Sequence, residues 1–319
     1  MRVRSLLLPG AIICAVILAR PLTAQSVSVR YLWKTGEALT YRTTVQTAVN
    51  MSGVPGLGDM ALSTAITQVI RMMPEDIAAD GTATLRVTIE SMKMEMTSPM
   101  GNMAFDSAAP APAPDDAVAA ALAPTIKAVV GASFTTIIKP NGAVTSVSGL
   151  AAIAAKLQQA LPQGAGMATG LESFLNDDAM KSAMQQSFAA LPDRPVATGE
   201  SWKSDVTVAN PMMTMTSSTT FILNGFDTAG GGQVARIAFT SVLKPKAGGS
   251  PASPLPVTVT PGDGKAEGEI LLDVRNGRLT RSTMRMDQPM SMSMQGGDAS
   301  AMNISANTKS TTTVELVQK

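Results

Sequence analysis

Methionine recurs at every second position in four short stretches of this chain: "MKMEM" (92–96), "MMTMT" (212–216), "MRMDQPM" (284–290) and "MSMSM" (290–294). The thioether of methionine is a soft ligand that suits Cu(I). It is also an apolar, polarizable group that fills irregular space. The repeated M-x-M pattern therefore indicates either soft-metal ligation or a pliable apolar wall.

A β-strand is the element that would position these thioethers together. Successive side chains of a strand point to opposite faces, so Met92, Met94 and Met96 share one face while Lys93 and Glu95 share the other. Three interpretations stay open: a sheet core, an apolar cleft for a lipid or other apolar small molecule, and a Cu(I) site. The candidates for lining a cleft, with opposing helix residues, are Met92, Met94, Met96, Met213, Met215, Met284, Met286, Met292, Met294, Phe174, Met184 and Phe188.

The first 24 residues have the pattern of a secretory signal peptide. Arg2 and Arg4 precede an apolar run, and small residues precede an expected cleavage site before Gln25. The run is too short for a transmembrane helix, so we expect a periplasmic or secreted protein with no membrane-spanning segment after cleavage. Loss of the three leader arginines changes the formal charge from +1 to −2, which argues against nucleic-acid binding.

The side chains that most often carry catalysis are scarce. The chain has no His, and its single Cys, Cys14, lies in the leader. Histidine bases, histidine-ligated metals and thiolate nucleophiles are therefore excluded from the mature protein. The adjacent Asp177 and Asp178 would not face one substrate on a helix, and no G-x-S-x-G motif occurs. We predict a protein that is not an enzyme and has no cofactor, with Cu(I) binding through thioethers as the alternative.

Turn signals divide the chain and predict its fold. Asp80-Gly81, Asn141-Gly142 and Asn276-Gly277 lie between alternating runs and are typical of antiparallel hairpins. We predict a first β segment (25–104), a Pro/Ala linker (105–116), a helical insertion with one hairpin (117–191) and a second β segment (192–319). Helical periodicity predicts one short helix before Pro162 and a longer helix over 171–191. The fold class is α+β, mostly a curved antiparallel sheet or half-barrel with a central helical insertion.

Three stretches carry a resemblance to a known family: "YLWKTGEALTYR" (31–42), "LPDRPVATGESWK" (191–203) and "GEILLDVRNGRLTRSTMRM" (268–286). They resemble an uncharacterised family of secreted bacterial envelope proteins, classed as a domain of unknown function. The resemblance implies export and a β-rich fold, and it implies no activity. The architecture also looks like the half-barrel lipoprotein carriers of the LolA type. Two of the stretches share Thr-Gly-Glu, which indicates either a duplication or two similar turns.

The sequence therefore favours a non-catalytic exported protein. It would bind a hydrophobic ligand or act as an envelope structural or interaction module. The ligand and any protein partner are not identified by the sequence.

Overall fold

A computed structural model describes residues 26–54, 58–99, 101–109, 123–124, 126–160, 177–209, 214–229, 232–245, 257–295 and 301–317. The expected signal peptide, most of the Pro/Ala linker, Phe174 and Met213 lie outside these described residues.

Most of the described chain is β-strand, as alternating Val, Ile, Thr and Met predicted. The strands are β1 (Leu39–Val54), β2 (Gly58–Ile77), β3 (Ala83–Ser98), β4 (Gly101–Asp106), β5 (Ser133–Ile138), β6 (Val144–Ser148), β7 (Ser201–Ala209), β8 (Thr214–Ala229), β9 (Gly232–Pro245), β10 (Val257–Pro261), β11 (Gly264–Asp273), β12 (Arg278–Gln295) and β13 (Ala301–Val317).

All the strands belong to one antiparallel sheet with the order β6-β5-β3-β2-β1-β13-β12-β11-β9-β8-β7, to which β4 adds beside β3 and β10 beside β12. Each half of the chain forms a meander, and the pairing of β1 with β13 joins the two halves. The sheet is open, because β6 and β7 are its two ends. The prediction of a mostly antiparallel sheet is thereby confirmed.

Two helices lie in sequence between these two end strands. The helix α1 (Leu150–Ala160) follows β6, and α2 (Asp177–Ser187) precedes β7. The helix α2 packs against both β6 and β7. It ends at Ser187, before the predicted end at residue 191, and residues 171–176 of the predicted helix lie outside the described part of the chain. The β5–β6 hairpin of the predicted insertion pairs through β5 with β3, so it belongs to the sheet.

The described part of the sheet has one face on which the core packs, here called the inward face. Register shifts keep apolar side chains on this face. In β3 the pairing passes from Ile89–Ile70 to Ser91–Val69, which is a bulge of one residue. The bulge changes the inward positions from odd to even numbers. Leu85, Val87 and Met92 therefore lie on the same face.

One end of the sheet, the capped end, is closed by the segment of residues 26–38. The amide N–H groups of Tyr31, Leu32 and Gly36 donate to the carbonyls of Pro140 (2.8 Å), Gly277 (3.0 Å) and Pro74 (3.2 Å). These carbonyls belong to three different turns or strand ends, so the segment joins distant parts of the chain. The opposite end, with the β1–β2, β3–β4 and β12–β13 connections, is called the far end.

The core at the capped end combines aliphatic and aromatic side chains. The Tyr31 ring packs edge-on against Phe188 with centroids 5.4 Å apart, and its hydroxyl accepts a hydrogen bond from the Ala189 N–H at 3.1 Å. Burial raises the pKa of Tyr31. Leu223, Ile237 and Leu272 have no exposed surface. This core fixes the capped end of the long strands.

The two Thr-Gly-Glu stretches form the same turn. In each, the Glu N–H donates to the residue three positions earlier, Glu37 to Lys34 and Glu200 to Ala197. The central glycines, Gly36 and Gly199, have φ values of 76° and 84°, as a type II turn requires. Each turn leads into the first strand of a meander, which explains the shared sequence by local geometry.

Candidate ligand-binding site

A cavity of about 880 Å³ lies against the middle of the sheet. Residues from β1, β2, β9, β11, β12 and β13 line it. In the sheet order, β2 and β9 are five strand spacings apart, which is about 24 Å in a flat sheet. One cavity of this size touches both strands only because the sheet curves around it. The curved sheet therefore forms a trough.

With the exception of Met286, the inward side chains at the level of the cavity are small. Across six neighbouring strands they are Thr64, Thr47, Ser310, Met286, Ala266 and Ser241. Ser241 and Ala266 are buried, with 8% and 7% exposure. The hydroxyls of Ser241 and Thr219 lie 2.7 Å apart on adjacent strands. The space in the trough exists because these strands place Ser, Thr and Ala where large apolar side chains would fill a core.

Charged side chains at the same level also line the cavity. Lys265, Glu267, Arg285, Asp287 and Lys309 alternate with the six residues above along the same strands and are exposed. Lys309 and Asp287 are 4.0 Å apart, with more than half of each side chain exposed. At every paired position of the described strands, the inward residue is uncharged.

Phe239 and Met284 lie two residues nearer the capped end than Ser241 and Met286. Phe239 packs over Gly268 on the neighbouring strand, where a Cβ would lie 2.6 Å from the ring. Met284 is partly buried against the main core. Gly268 therefore makes room for an aromatic side chain of the core.

Two buried oxygens without a partner lie on the other side of the cavity level. Gln288 and Thr308 are directly paired on β12 and β13, two residues from Met286 and Ser310 on the same face. Gln288 is 4% exposed, and its Nε2 donates to the Gly262 carbonyl at 2.6 Å. Its Oε1 has no hydrogen-bond partner, and neither does the Thr308 hydroxyl.

The methionines predicted from the M-x-M pattern lie on the inward face but are not one cluster. Met92 and Met94 pack with Phe105, Ala123 and Ile126 in a small satellite core. Met96 is half-buried and paired with Met103 across β3 and β4. Three strands separate this group from the methionines of β12.

The remaining candidates are spread along the trough and the core. Among them, Met286 lines the cavity, and Met292 is half-buried nearer the far end. Met215 on β8 is buried. The backbone of Met294 pairs with Met302, and its side chain lies outside the described parts. Met184 and Phe188 belong to the core at the capped end.

Sequence reasoning missed several inward residues. Met51 on β1 pairs with Met60 on β2, but neither lies in an M-x-M stretch. The hydroxyl residues of the trough were also missed, because Ser and Thr at alternate positions are equally typical of a solvated face. Strand partners would have been needed to identify them.

The described residues contain no candidate metal cluster or membrane helix. No three His, Cys, Asp or Glu side chains among them are placed to hold one metal ion. Within the same residues, no helix has both the length and the apolar character needed to cross a membrane.

A model described as "Family of unknown function (DUF6263)" matches residues 80–279. The chain belongs to this family. The DUF6263 match runs from the β2–β3 turn to the beginning of β12, so it includes β9 and β11 of the trough. The other trough strands, β1, β2, β13 and most of β12, lie beyond it. No curated protein matches the chain in sequence.

Solved structures show only distant similarity. Lipovitellin, from a study of lipid–protein interactions, superposes with a TM-score of 0.47 at 7% identity, and the match covers 89% of this chain but only 25% of the lipovitellin chain. DynF from the dynemicin biosynthesis pathway of Micromonospora chersina superposes with a TM-score of 0.19 at 8% identity, and the match covers 92% of both chains. OccAB4 of Acinetobacter baumannii superposes with a TM-score of 0.20 at 8% identity, and the match covers 89% of this chain and 99% of the OccAB4 chain. These scores are too low to assign this chain to the fold of any of the three.

Proposed function

We propose that the protein is an exported, non-catalytic binding protein that holds an apolar small molecule in the trough. The observation that carries this proposal is the cavity of about 880 Å³ that is lined by residues of six strands. Its volume lies within the range of about 300–1,000 Å³ that is typical of ligand pockets.

The walls of the trough suit a ligand of variable shape. Met286 lines the cavity, and Met284, Met290 and Met292 lie on the same inward face of β12, where all four are partly buried. Methionine is unbranched and adapts to irregular surfaces, which is why it is common at binding sites that accept several partners. The small hydroxyl side chains provide the space, and the thioethers provide the apolar contact.

Export is part of the same proposal and rests on the N-terminal leader pattern. An exported protein with such a trough could act as a carrier or as a module of the cell envelope. A stoichiometric small-molecule adduct supports the first role, and its absence leaves the structural or interaction role.

The experiment is native mass spectrometry of the full chain, exported by its own leader and purified without detergent, followed by organic extraction. Ser310→Trp places an indole in the trough and should abolish the adduct. Ser305→Trp is the matched control, because Ser305 lies on the exposed, outward face of the same strand. A bare wild-type mass that stays unchanged after incubation with a lipid extract would contradict the proposal.

A second candidate function, Cu(I) binding, is favoured by two methionine pairs near the far end: Met51–Met60 and Met96–Met103. Directly opposed residues of antiparallel strands have Cβ atoms about 4.5–5.5 Å apart. Two flexible thioethers at that spacing can reach one soft ion, and Met94 is a neighbouring third ligand for the second pair.

Cu(I) titration of the full chain in a competing chelator tests this alternative. The double variant Met96→Leu/Met103→Leu should lose bound Cu(I), while Met73→Leu, on the outward face, should not. Leucine is close to methionine in size, so the fold should be retained. Equal Cu(I) binding by wild type and the double variant would exclude this pair as the site.

A further inference from the structure

We infer that two copies of this protein associate through β7, whose free edge pairs with the same edge of the second copy in antiparallel orientation. Three features of the described sheet support this association. They are an edge that no other described strand covers, the direction of its backbone groups and a pair of charges that is complementary to itself under two-fold symmetry.

The two end strands of the sheet differ in how their edges are covered. On β6, the Val144 N–H donates to Gln185 Oε1 of α2 at 2.8 Å, and Gln185 Nε2 donates to the Gly142 carbonyl at 3.2 Å. On β7, the Trp202 indole donates to the Ala190 carbonyl at 2.8 Å. Among the described residues, however, only those of β8 form hydrogen bonds with the backbone of residues 201–207. An unpaired row of N–H and C=O groups is a template for another strand.

The backbone direction shows which residues of β7 would pair with a second copy. The Leu223 N–H donates to the Glu200 carbonyl at 3.0 Å, and the register that begins with this pair continues along β7 and β8 without a shift. Backbone groups of an antiparallel strand point alternately to its two sides. The even-numbered residues of β7 therefore face β8, and the odd-numbered residues from 201 to 207 face the free edge.

The charges of β7 select one register for the pair. Lys203 and Asp205 are exposed on the outward face, and their cross-strand neighbours on β8, Thr220 and Ser218, are uncharged. A two-fold axis beside Ser204 places Lys203 opposite Asp205 of the second copy, and it does so twice. An axis at Lys203 or at Asp205 would instead place like charges opposite each other. Opposite charges directly across two strands stabilise their pairing, and like charges destabilise it.

The inward face of β7 is compatible with the same register. Trp202 is stacked on Phe221 with ring centroids 5.5 Å apart, and Trp202 and Val206 are both partly buried. The axis beside Ser204 brings Trp202 opposite Val206 of the second copy. Pairs of an aromatic and a β-branched side chain are favourable across neighbouring strands. The register chosen by the outward charges therefore also forms apolar contacts on the inward face.

Sedimentation velocity of the full-length exported protein tests the association at low ionic strength, where exposed charges are least screened. We expect a dimer that forms reversibly between about 1 and 100 μM. Lys203→Asp and Asp205→Lys each place like charges at both outward pairs, and each should weaken the dimer at least about tenfold. Lys156→Asp makes the same change of charge at an exposed position of α1 and should leave the dimer unchanged.

Two further samples test the register itself. An equal mixture of Lys203→Asp and Asp205→Lys should restore association, because each variant then carries the charges that complement the other. The double variant Lys203→Asp/Asp205→Lys restores both pairs within one chain and should dimerise as the wild type does. Recovery in neither sample would contradict the register, provided that thermal unfolding shows each variant to be folded.

Two results would overturn the inference as a whole. A wild type that stays monomeric at every concentration would mean that Lys203 and Asp205 protect the edge from pairing. A dimer that both single variants leave unchanged would mean that the copies meet at another surface. Neither result would affect the proposed ligand site, because β7 lies two strands from β9, the nearest strand that lines the trough.

Discussion

The capped end and the trough are built from the same long strands, yet they differ in what lies on the inward face. At the capped end, Leu223, Ile237 and Leu272 are fully buried under the N-terminal segment and α2. At the level of the cavity, four residues further along β9 and six further along β11, the inward positions of the six strands are Thr, Ser, Ala and Met. The alternation of side chains makes the sheet in both regions, but residue size decides whether the inward face becomes a core or a cavity.

The largest difference should appear when one side chain is truncated in each region. Leu272→Ala leaves a cavity in a filled core and should lower the free energy of unfolding by about 2–5 kcal/mol. Met286→Ala enlarges an existing cavity and removes a partly buried side chain, so we expect a loss of about 1 kcal/mol. Urea unfolding with unchanged m values measures both. Equal losses would show that the trough is packed as tightly as the core.

Local features of the fold could be predicted from the sequence, and long-range pairing could not. Asp80-Gly81, Asn141-Gly142 and Asn276-Gly277 each coincide with a turn between paired strands, because positive φ at glycine is a local requirement. The pairing of β1 with β13 joins residues far apart in sequence, and no local pattern encodes it. The curvature that produces the cavity depends on that pairing.

The site shows the same limit. The M-x-M pattern correctly placed Met92, Met94 and Met96 on one face, since alternation is local. It did not identify Thr47, Thr64 and Ser310, because Ser and Thr at alternate positions are equally typical of a solvated outer face and of the wall of a trough. Only the register of six strands brings them to one level.

The next largest effect concerns the turns of the capped end. Gly36→Ala and Gly199→Ala force a Cβ into left-handed backbone conformations, although a Cβ at either position would have no other atom within 4 Å. Each should cost about 1–2 kcal/mol of stability from backbone strain alone. Thermal unfolding of both variants checks this, and similar losses would establish that the two turns are energetically equivalent. A neutral substitution at either position would contradict the shared type II geometry.

A smaller effect is expected for the ion pair that fixes one of these turns. Arg278 contacts Glu37 and donates a hydrogen bond that lowers the pKa of Glu37. Stability from this pair is complete above the usual Glu pKa of about 4.3, and it is lost as pH falls through the lowered folded value, because the unfolded chain then binds more protons. Glu37→Gln should cost less than about 1 kcal/mol at neutral pH, since Glu37 is well exposed.

The control for this variant is Glu315→Gln, which breaks the exposed 3.5 Å contact with Arg281 on the outward face. It should change stability less than Glu37→Gln, because Arg278 is only 18% exposed whereas Arg281 is 55% exposed. Chemical denaturation at neutral and acidic pH measures both variants. If Glu37→Gln loses as much stability in acid as the wild type does, that loss comes from other carboxylates.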